Sequence, residues 1–410
     1  MTDPKTPGRL PEIDYDAFAN DITKLGRDIR QGLGEEDIAH LKAVIRRTRL
    51  FTLIGYATAW ICPNPISAYC ISQGIFGRWL VTHHISHGGY DNVPNIPRRY
   101  TSKVFAQGWR RFIDWFDWIL PEAWHVEHDL LHHGNTSETK DPDVVEDHAL
   151  FLRQSNMPRL LKYAVIAFLS VSWKIVYYAP NTLRALEEDG RNAATSNLLR
   201  LIWDNGLNPL SPRVRKLWLL CYLPYALVAF ILIPAVFLII SPWAVISVFI
   251  NRILAEMMTN LHSFLVISPN HSGDDLYRFD YHFKGKGEYC VNQVISSCNY
   301  HTGSEWGDYL QIWLNYQIEH HLYPGLPMLA YRKLQPQVKA LCETHQVPYI
   351  QESVFKRVAK MIAIIVGKDS MKWIVKGNRP DSDELDSSEQ KTGDSGEERS
   401  LGILPEKNVA

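Results

Sequence analysis

Charged side chains recur through the first 45 residues with no apolar run among them, and the chain turns apolar only near Leu50. The clearest apolar run is Leu217–Ile240, 24 residues without a charge. At ~1.5 Å per helical residue it reaches roughly 36 Å, enough for a hydrocarbon core of ~30 Å, so it predicts a membrane-spanning helix. Pro242 restarts an apolar stretch through Ile267, broken only by Arg252 and Glu256. These two are four apart, share one helix face and are expected to turn toward protein rather than lipid. Leu50–Val81 predicts a second hairpin, interrupted at Pro63-Asn64-Pro65, with short arms. Leu160–Tyr178 is also apolar, but Trp173, Lys174, Tyr177 and Tyr178 crowd its end like interfacial anchors, and it is expected to lie in the interface. The pattern therefore predicts an all-α integral membrane protein of about four transmembrane helices.

Composition changes this picture little. Apolar residues are 46% and charged ones 21%, values that also suit a soluble protein, because a chain average hides a few apolar segments between charged loops. A net charge of −1 gives no basic surface for nucleic acid. Six cysteines without a Cys-x-x-Cys pair suit a reduced, cytoplasm-facing environment. The polar start has no secretory signal pattern, and the amino terminus is expected in the cytoplasm. Residues 376–410 are charged, Ser- and Gly-rich and free of aromatics, the composition of a disordered tail. Three parts are thus expected: a cytosolic segment 1–48, a membrane domain 49–375 and the tail.

The histidines sit in clusters at the edges of the apolar segments. His83 and His87 are four apart, which on a helix stacks both imidazoles on one face. His128 and His132 repeat that step, with His133 expected on the adjacent face, so that one helix could serve two metals. His320 and His321 form a third cluster, followed by Leu-Tyr-Pro-Gly-Leu-Pro, whose prolines should end a helix. Three such pairs in one membrane chain favour metal ligation over histidines satisfied separately in a core. A catalytic zinc generally needs three protein ligands, and the zinc-protease string His-Glu-x-x-His is absent. A histidine-rich metal transporter would line a path through the membrane, whereas these clusters follow the spans.

Together the clusters resemble the three boxes of the membrane fatty acid desaturases: His83 to His87, His128 to His133, and Gln317-Ile-Glu-His320-His321. Asn315-Tyr-Gln-Ile-Glu-His-His-Leu-Tyr-Pro is similar to the third-box region of front-end desaturases, which carry Gln in the first position. Asp141-Pro-Asp143 is similar to that family's Asp-Pro-Asp, and Pro269-Asn270-His271 to a fourth, less regular element. The likeness spans roughly residues 50 to 345. Two features depart from it. The second box has three residues before its His pair where front-end enzymes have two, and no His-Pro-Gly-Gly cytochrome b5 module is present.

The resemblance implies dioxygen-dependent desaturation of a lipid acyl chain by two iron ions in a cytosolic histidine-rich cap. It implies His83, His87, His128, His132, His133, His271, His320 and His321 as ligands. His262 competes with His271. His84, His125 and His301 are more readily structural or holding groups, and Gln317 would steady a water or another ligand. Glu319, Asp129, Asp141 and Asp143 would orient ligand histidines by accepting ring N–H bonds, or else cap helices and face water. Trp124, Trp306 and Trp313 are candidates for the wall of an acyl tunnel, against the commoner reading of interfacial aromatics. Electrons would come from a separate donor of the cytochrome b5 or ferredoxin type. A di-iron lipid hydroxylase stays open as the alternative, as does the choice between a bacterial inner membrane and the endoplasmic reticulum.

Overall fold

The computed structural model describes residues 6, 7, 10, 12–187 and 203–375; the predicted tail at 376–410 lies outside them. A two-residue strand, β1 (Thr6–Pro7), precedes helix α1 (Tyr15–Gln31). Asp14 caps α1, its side chain accepting from Ala17 N at 2.9 Å. The apolar stripe of α1 buries Phe18, Ala19, Ile22 and Leu25. At Gly26 a Cβ would stand 2.5 Å from the Tyr323 ring, so only glycine lets α1 approach the segment after the third histidine cluster.

Helices α2 (Glu35–Ala59) and α3 (Pro65–Ser86) form the predicted hairpin around Pro63-Asn64-Pro65. Asn64 caps α3 through Ser67 N at 2.8 Å, and Pro65 opens its first turn. α2 runs without a break through residue 48, the expected edge of the membrane domain. The two helices pack closely: a Cβ at Gly74 would lie 2.2 Å from Thr52 Oγ1. Outward, Leu50, Leu53, Ile61 and Ile66 are exposed.

Among the described residues three helices are long and apolar enough to cross a membrane: α4 (Arg159–Glu187), α5 (Pro212–Ile239) and the helix from Pro242 to His271, whose α-helical part is α6 (Pro242–Ile267). α2 and α3 fall short by that measure. The first half of α2 carries Glu35, Glu36, Asp37, Lys42, Arg46 and Arg47, and α3 is rich in Gly, Ser and His. α4, predicted to lie in the interface, has 29 residues and sufficient length to span. Yet both of its ends meet the histidine half. Lys162 Nζ donates to the Arg153 and Val366 carbonyls at 3.4 and 3.3 Å, and the last turns pack on residues 121–132. Arg252 and Glu256 turn inward as expected, their side chains 4% and 6% exposed and 2.8 Å apart.

Strand β2 (Tyr277–Phe279), helices α7 (Gly285–Ile295), α8 (Gln317–Leu322), α9 (Met328–Thr344) and α10 (Val354–Ile365), and strand β3 (Lys372–Ile374) complete the polar half. The strands make one small parallel sheet in the order β1-β3-β2. α1 lies against α7 and α9, so the amino-terminal segment is built into this half.

Candidate metal centre

Four elements deliver the histidines. α3 carries His83 in its last turn and ends at His87. Gln317, His320 and His321 ride on the short helix α8, which stops before Pro324. His271 closes the helix that begins at Pro242. The second cluster sits on a π-helix, His125–His132, rather than on the α-helix that the four-residue step predicts. A π-helix closes its bonds from i to i+5 and winds more than four residues per turn. His132 and His133 therefore stand astride the position above His128, where i+3 and i+4 would stand on an α-helix. The extra residue of this cluster is absorbed by the wider turn.

The eight predicted ligands come together in two neighbouring groups. His83, His87, His128, His133 and His320 form one, His132, His271 and His321 the other, with candidate donor atoms within 4.8 Å of one another in each. His133 and His321 stack across the boundary, centroids 4.2 Å apart and planes at 13°. In the larger group His83 Nε2 lies 3.1 Å from both His320 Nε2 and His128 Nε2. His87 Nε2 and both nitrogens of His133 have no hydrogen-bond partner among the described residues. Buried nitrogens converging without donors between them fit a cation.

In the smaller group each ring is held from behind. His132 Nδ1 meets Asp141 Oδ1 at 2.8 Å, His321 Nδ1 meets Gln293 Oε1 at 2.8 Å, and His271 Nδ1 meets the Ser296 carbonyl at 3.0 Å. An acceptor at Nδ1 keeps the proton there and turns the Nε2 lone pair inward, the tautomer a metal needs. Asp141 is itself fixed by the Ser137 and Asp143 amides at 2.7 and 2.8 Å. In the larger group Tyr331 OH lies 3.2 Å from His320 Nδ1.

Protonation follows the same geometry. Burial, then neighbouring imidazoles, holds His87, His128, His133, His320 and His321 well below the usual histidine range, so they stand neutral and ready to ligate. For His132 burial pushes the same way, but the adjacent Asp141 carboxylate wins and raises it. Asp141 is pushed up by burial, yet His132 and the two amide bonds bring it below its ordinary value.

The remaining candidates are placed otherwise. His262, the rival of His271, meets Gln73 at 3.2 Å and the Leu310 carbonyl at 2.8 Å, apart from both groups. His84 meets the Ile312 carbonyl at 3.2 Å, His125 meets Asp129 at 2.6 Å, and His301 is exposed. Gln317 Nε2 lies 2.8 Å from His271 Nε2, with its carbonyl accepting from Asn270 at 3.0 Å. Asp129 also stands 3.3 Å from His87 Nε2, without hydrogen-bond alignment. Asp143 joins His128 and His132 in a third ligand-competent set. Glu319 holds no histidine: it accepts from Asn299 and Tyr349 at 2.8 and 2.9 Å, and burial lifts its pKa to about 7. Gln293 and Tyr331 escape sequence reasoning, since no spacing links them to the boxes.

A cavity opens beside the groups. Its polar end is His128, His132, His271 and Gln317; its apolar wall includes Phe151, Leu169, Trp173, Phe264 and Ile365. Trp124, Trp306 and Trp313 do not line it. Trp124 instead stacks on His128 at 4.6 Å, Trp306 is exposed, and Trp313 packs edge-on against His40.

Long apolar helices beside a buried double group of imidazoles define a membrane protein with a histidine cage able to hold metal. The chain belongs to the fatty acid desaturase family of membrane oxidoreductases, whose model matches residues 49–353. It is 22% identical to the NADPH-dependent stearoyl-CoA 9-desaturase of Mycobacterium tuberculosis over 88% of this chain and 81% of that one. It is 25% identical to Fatty acid desaturase 3 of Bos taurus, over 71% of this chain and 58% of that one. A 36% match to the mouse Fatty acid desaturase 2-like protein FADS2B is confined to 75 residues, 18% of this chain and 15% of that protein.

Proposed function

We propose that this protein desaturates the acyl chain of a lipid, with dioxygen as oxidant and two iron ions as cofactor. His83, His87, His128, His133 and His320 would hold one iron, and His132, His271 and His321 the other, in keeping with His271 rather than His262 as the eighth ligand. Imidazole donors suit iron, and two groups of this size exceed what one catalytic zinc requires. The observation that carries the reading is the cavity, which joins the edge of both groups to an apolar wall of the kind an alkyl chain requires.

When bound, the irons supply the oxidising power with dioxygen that no side-chain acid or base possesses. Two hydrogens leave adjacent methylenes, and dioxygen with two electrons and two protons becomes two waters. The chain's own residues do the rest. Phe151, Leu169, Trp173 and Phe264 position the alkyl chain and exclude water. Asp141, Gln293 and the Ser296 carbonyl keep three imidazoles in the ligating tautomer. Gln317, whose amide lies 2.8 Å from His271 Nε2, would release that nitrogen to the iron and steady the cavity's polar end.

In this reading α2, α3, α5 and α6 are four spans, α4 rests in the interface, and the histidine cap faces the cytosol. Residues 1–48 begin on that side, the membrane domain extends to 375, and the tail beyond carries no chemistry. A separate cytochrome b5- or ferredoxin-type protein delivers electrons. Elemental analysis of the detergent-purified protein, paired with lipid profiling of expressing cells, tests the proposal. Near two irons per chain with new unsaturated acyl species are expected. Hydroxylated species would assign the hydroxylase chemistry instead, and zinc alone with unchanged lipids would sink the di-iron reading.

A further inference from the structure

A second cavity lies within the helix bundle, bounded by α2, α3, α5, α6 and the loop around Phe112–Asp117. Trp79, Trp115 and Trp124, ring to ring at 6.4 and 5.9 Å, stand between it and the imidazoles of His83 and His128. Its lining combines two guanidinium groups, Arg78 and Arg252, with Tyr56, Asp117 and the apolar rings of Phe112 and Phe116.

Arg252 is 4% exposed and uses only Nη2, which meets Tyr225 OH at 2.5 Å and Glu256 Oε1 at 2.8 Å. Its Nε and Nη1 are buried with no partner among the described residues. Glu256 balances the charge, but two buried donors left without an acceptor are costly inside a membrane domain. Arg78 carries no described side-chain bond and is exposed at the wall. Nearby, Lys174 Nζ holds Asp117 Oδ2 at 2.7 Å, leaving Asp117 Oδ1 as an unpaired acceptor. Arg78, Arg252 and Lys174 against Asp117 and Glu256 leave one positive charge uncompensated.

We propose that this cavity binds the phosphate of an anionic phospholipid between Arg78 and Arg252. A guanidinium fork suits phosphate oxygens, and the free Nε and Nη1 of Arg252 are the edge such a contact uses. The surroundings favour a lipid over the free ion. Phe112 and Phe116 offer apolar wall, and Trp109, Phe112 and Ile113 are exposed on the same loop, which also carries Arg110, paired with Asp114 at 2.9 Å. Arg111 ties that loop to α5 through the Leu220 carbonyl at 2.8 Å. Aromatic and basic residues in this arrangement belong at a headgroup layer.

The test is thermal unfolding of the full-length protein in detergent, titrated separately with phosphatidylglycerol, phosphatidylcholine and inorganic phosphate. Phosphatidylglycerol should raise the midpoint where phosphatidylcholine does not. Arg78→Gln should need roughly tenfold more of it, the equivalent of one lost bond to a charged group, at unchanged metal content. Equal response to both lipids, or an unaltered response in the variant, overturns the proposal. Inorganic phosphate acting as well as the lipid assigns the site to the free anion and overturns the lipid reading. Native mass spectrometry of the wild type decides independently of any variant: a retained anionic phospholipid is expected, and its absence speaks against the site.

Discussion

Each imidazole of the smaller group is a two-ended device, with Nδ1 tied to an oxygen that fixes the proton and Nε2 turned toward the other rings, although at His271 the Gln317 amide lies 2.8 Å from that nitrogen. Removing a ligand and removing a tether should therefore differ. His320→Ala or His321→Ala should abolish turnover while membrane insertion persists, and full activity in either would refute the ligand assignment. Gln293→Leu leaves His321 in place but removes the shorter of the two contacts at its Nδ1, leaving the Thr136 hydroxyl at 3.2 Å. It should lower metal affinity or activity by about 10- to 100-fold, read as iron retained after dialysis against a chelator. Glu319 makes a separate claim. Burial raises its carboxyl to about 7 against an ordinary value near 4.5. A raised folded pKa favours the protonated form, so its contribution to stability is complete below about pH 4.5 and is lost as pH rises through 7. Glu319→Gln should flatten the pH dependence of thermal stability across that window, and a curve parallel to wild type would show that the carboxyl does not titrate there. The boxes were legible in sequence because helical spacing alone brings their histidines together. Of their tethers Asp141 was legible, nine residues from His132, whereas Gln293 and Ser296 were not, because they lie more than twenty residues from the rings they hold.

At the scale of elements, the π-helix His125–His132 decides how one segment serves both groups. If the wider turn is what absorbs the third spacer residue, taking that residue out should restore an α-helix with its His pair in nearly the same place. Deletion of Leu130, 41% exposed, should therefore keep most of the metal and measurable turnover. An alanine inserted after Leu130 should lose both. The opposite ranking, by elemental analysis and acyl-chain profiling of the two variants, would reject the geometric account. Period alone predicts a helix here but not its pitch, since a four-residue step lies between the α turn of about 3.6 residues and the wider π turn and suits both.

For the whole molecule, both hairpin tips gather at the end away from the histidines. Asn251 donates to the Ala59 and Cys62 carbonyls at 2.9 and 3.1 Å, and Trp243 donates to Ile61 at 3.0 Å. Cys62 is the exposed cysteine, the other five being buried. A membrane-impermeant maleimide should label it from the face opposite the cap, in sealed vesicles of one orientation and not the other. Labelling in both would break the four-span arrangement. Truncation after residue 380 should leave turnover unchanged, which tests the compositional reading of the tail.

By itself the sequence determined the membrane character, the hairpin break at Pro63-Asn64-Pro65, the inward turn of Arg252 and Glu256, and the three histidine clusters. These are local properties, set by apolar run length, proline geometry and helical period. Tertiary structure alone decided which histidines share a group, that His271 rather than His262 joins them, that Glu319 serves Asn299 and Tyr349, and that a cavity with an apolar wall meets the site. Those outcomes turn on contacts between elements far apart in the chain, whose relative rotation follows from packing the whole core at once and leaves no trace in spacing.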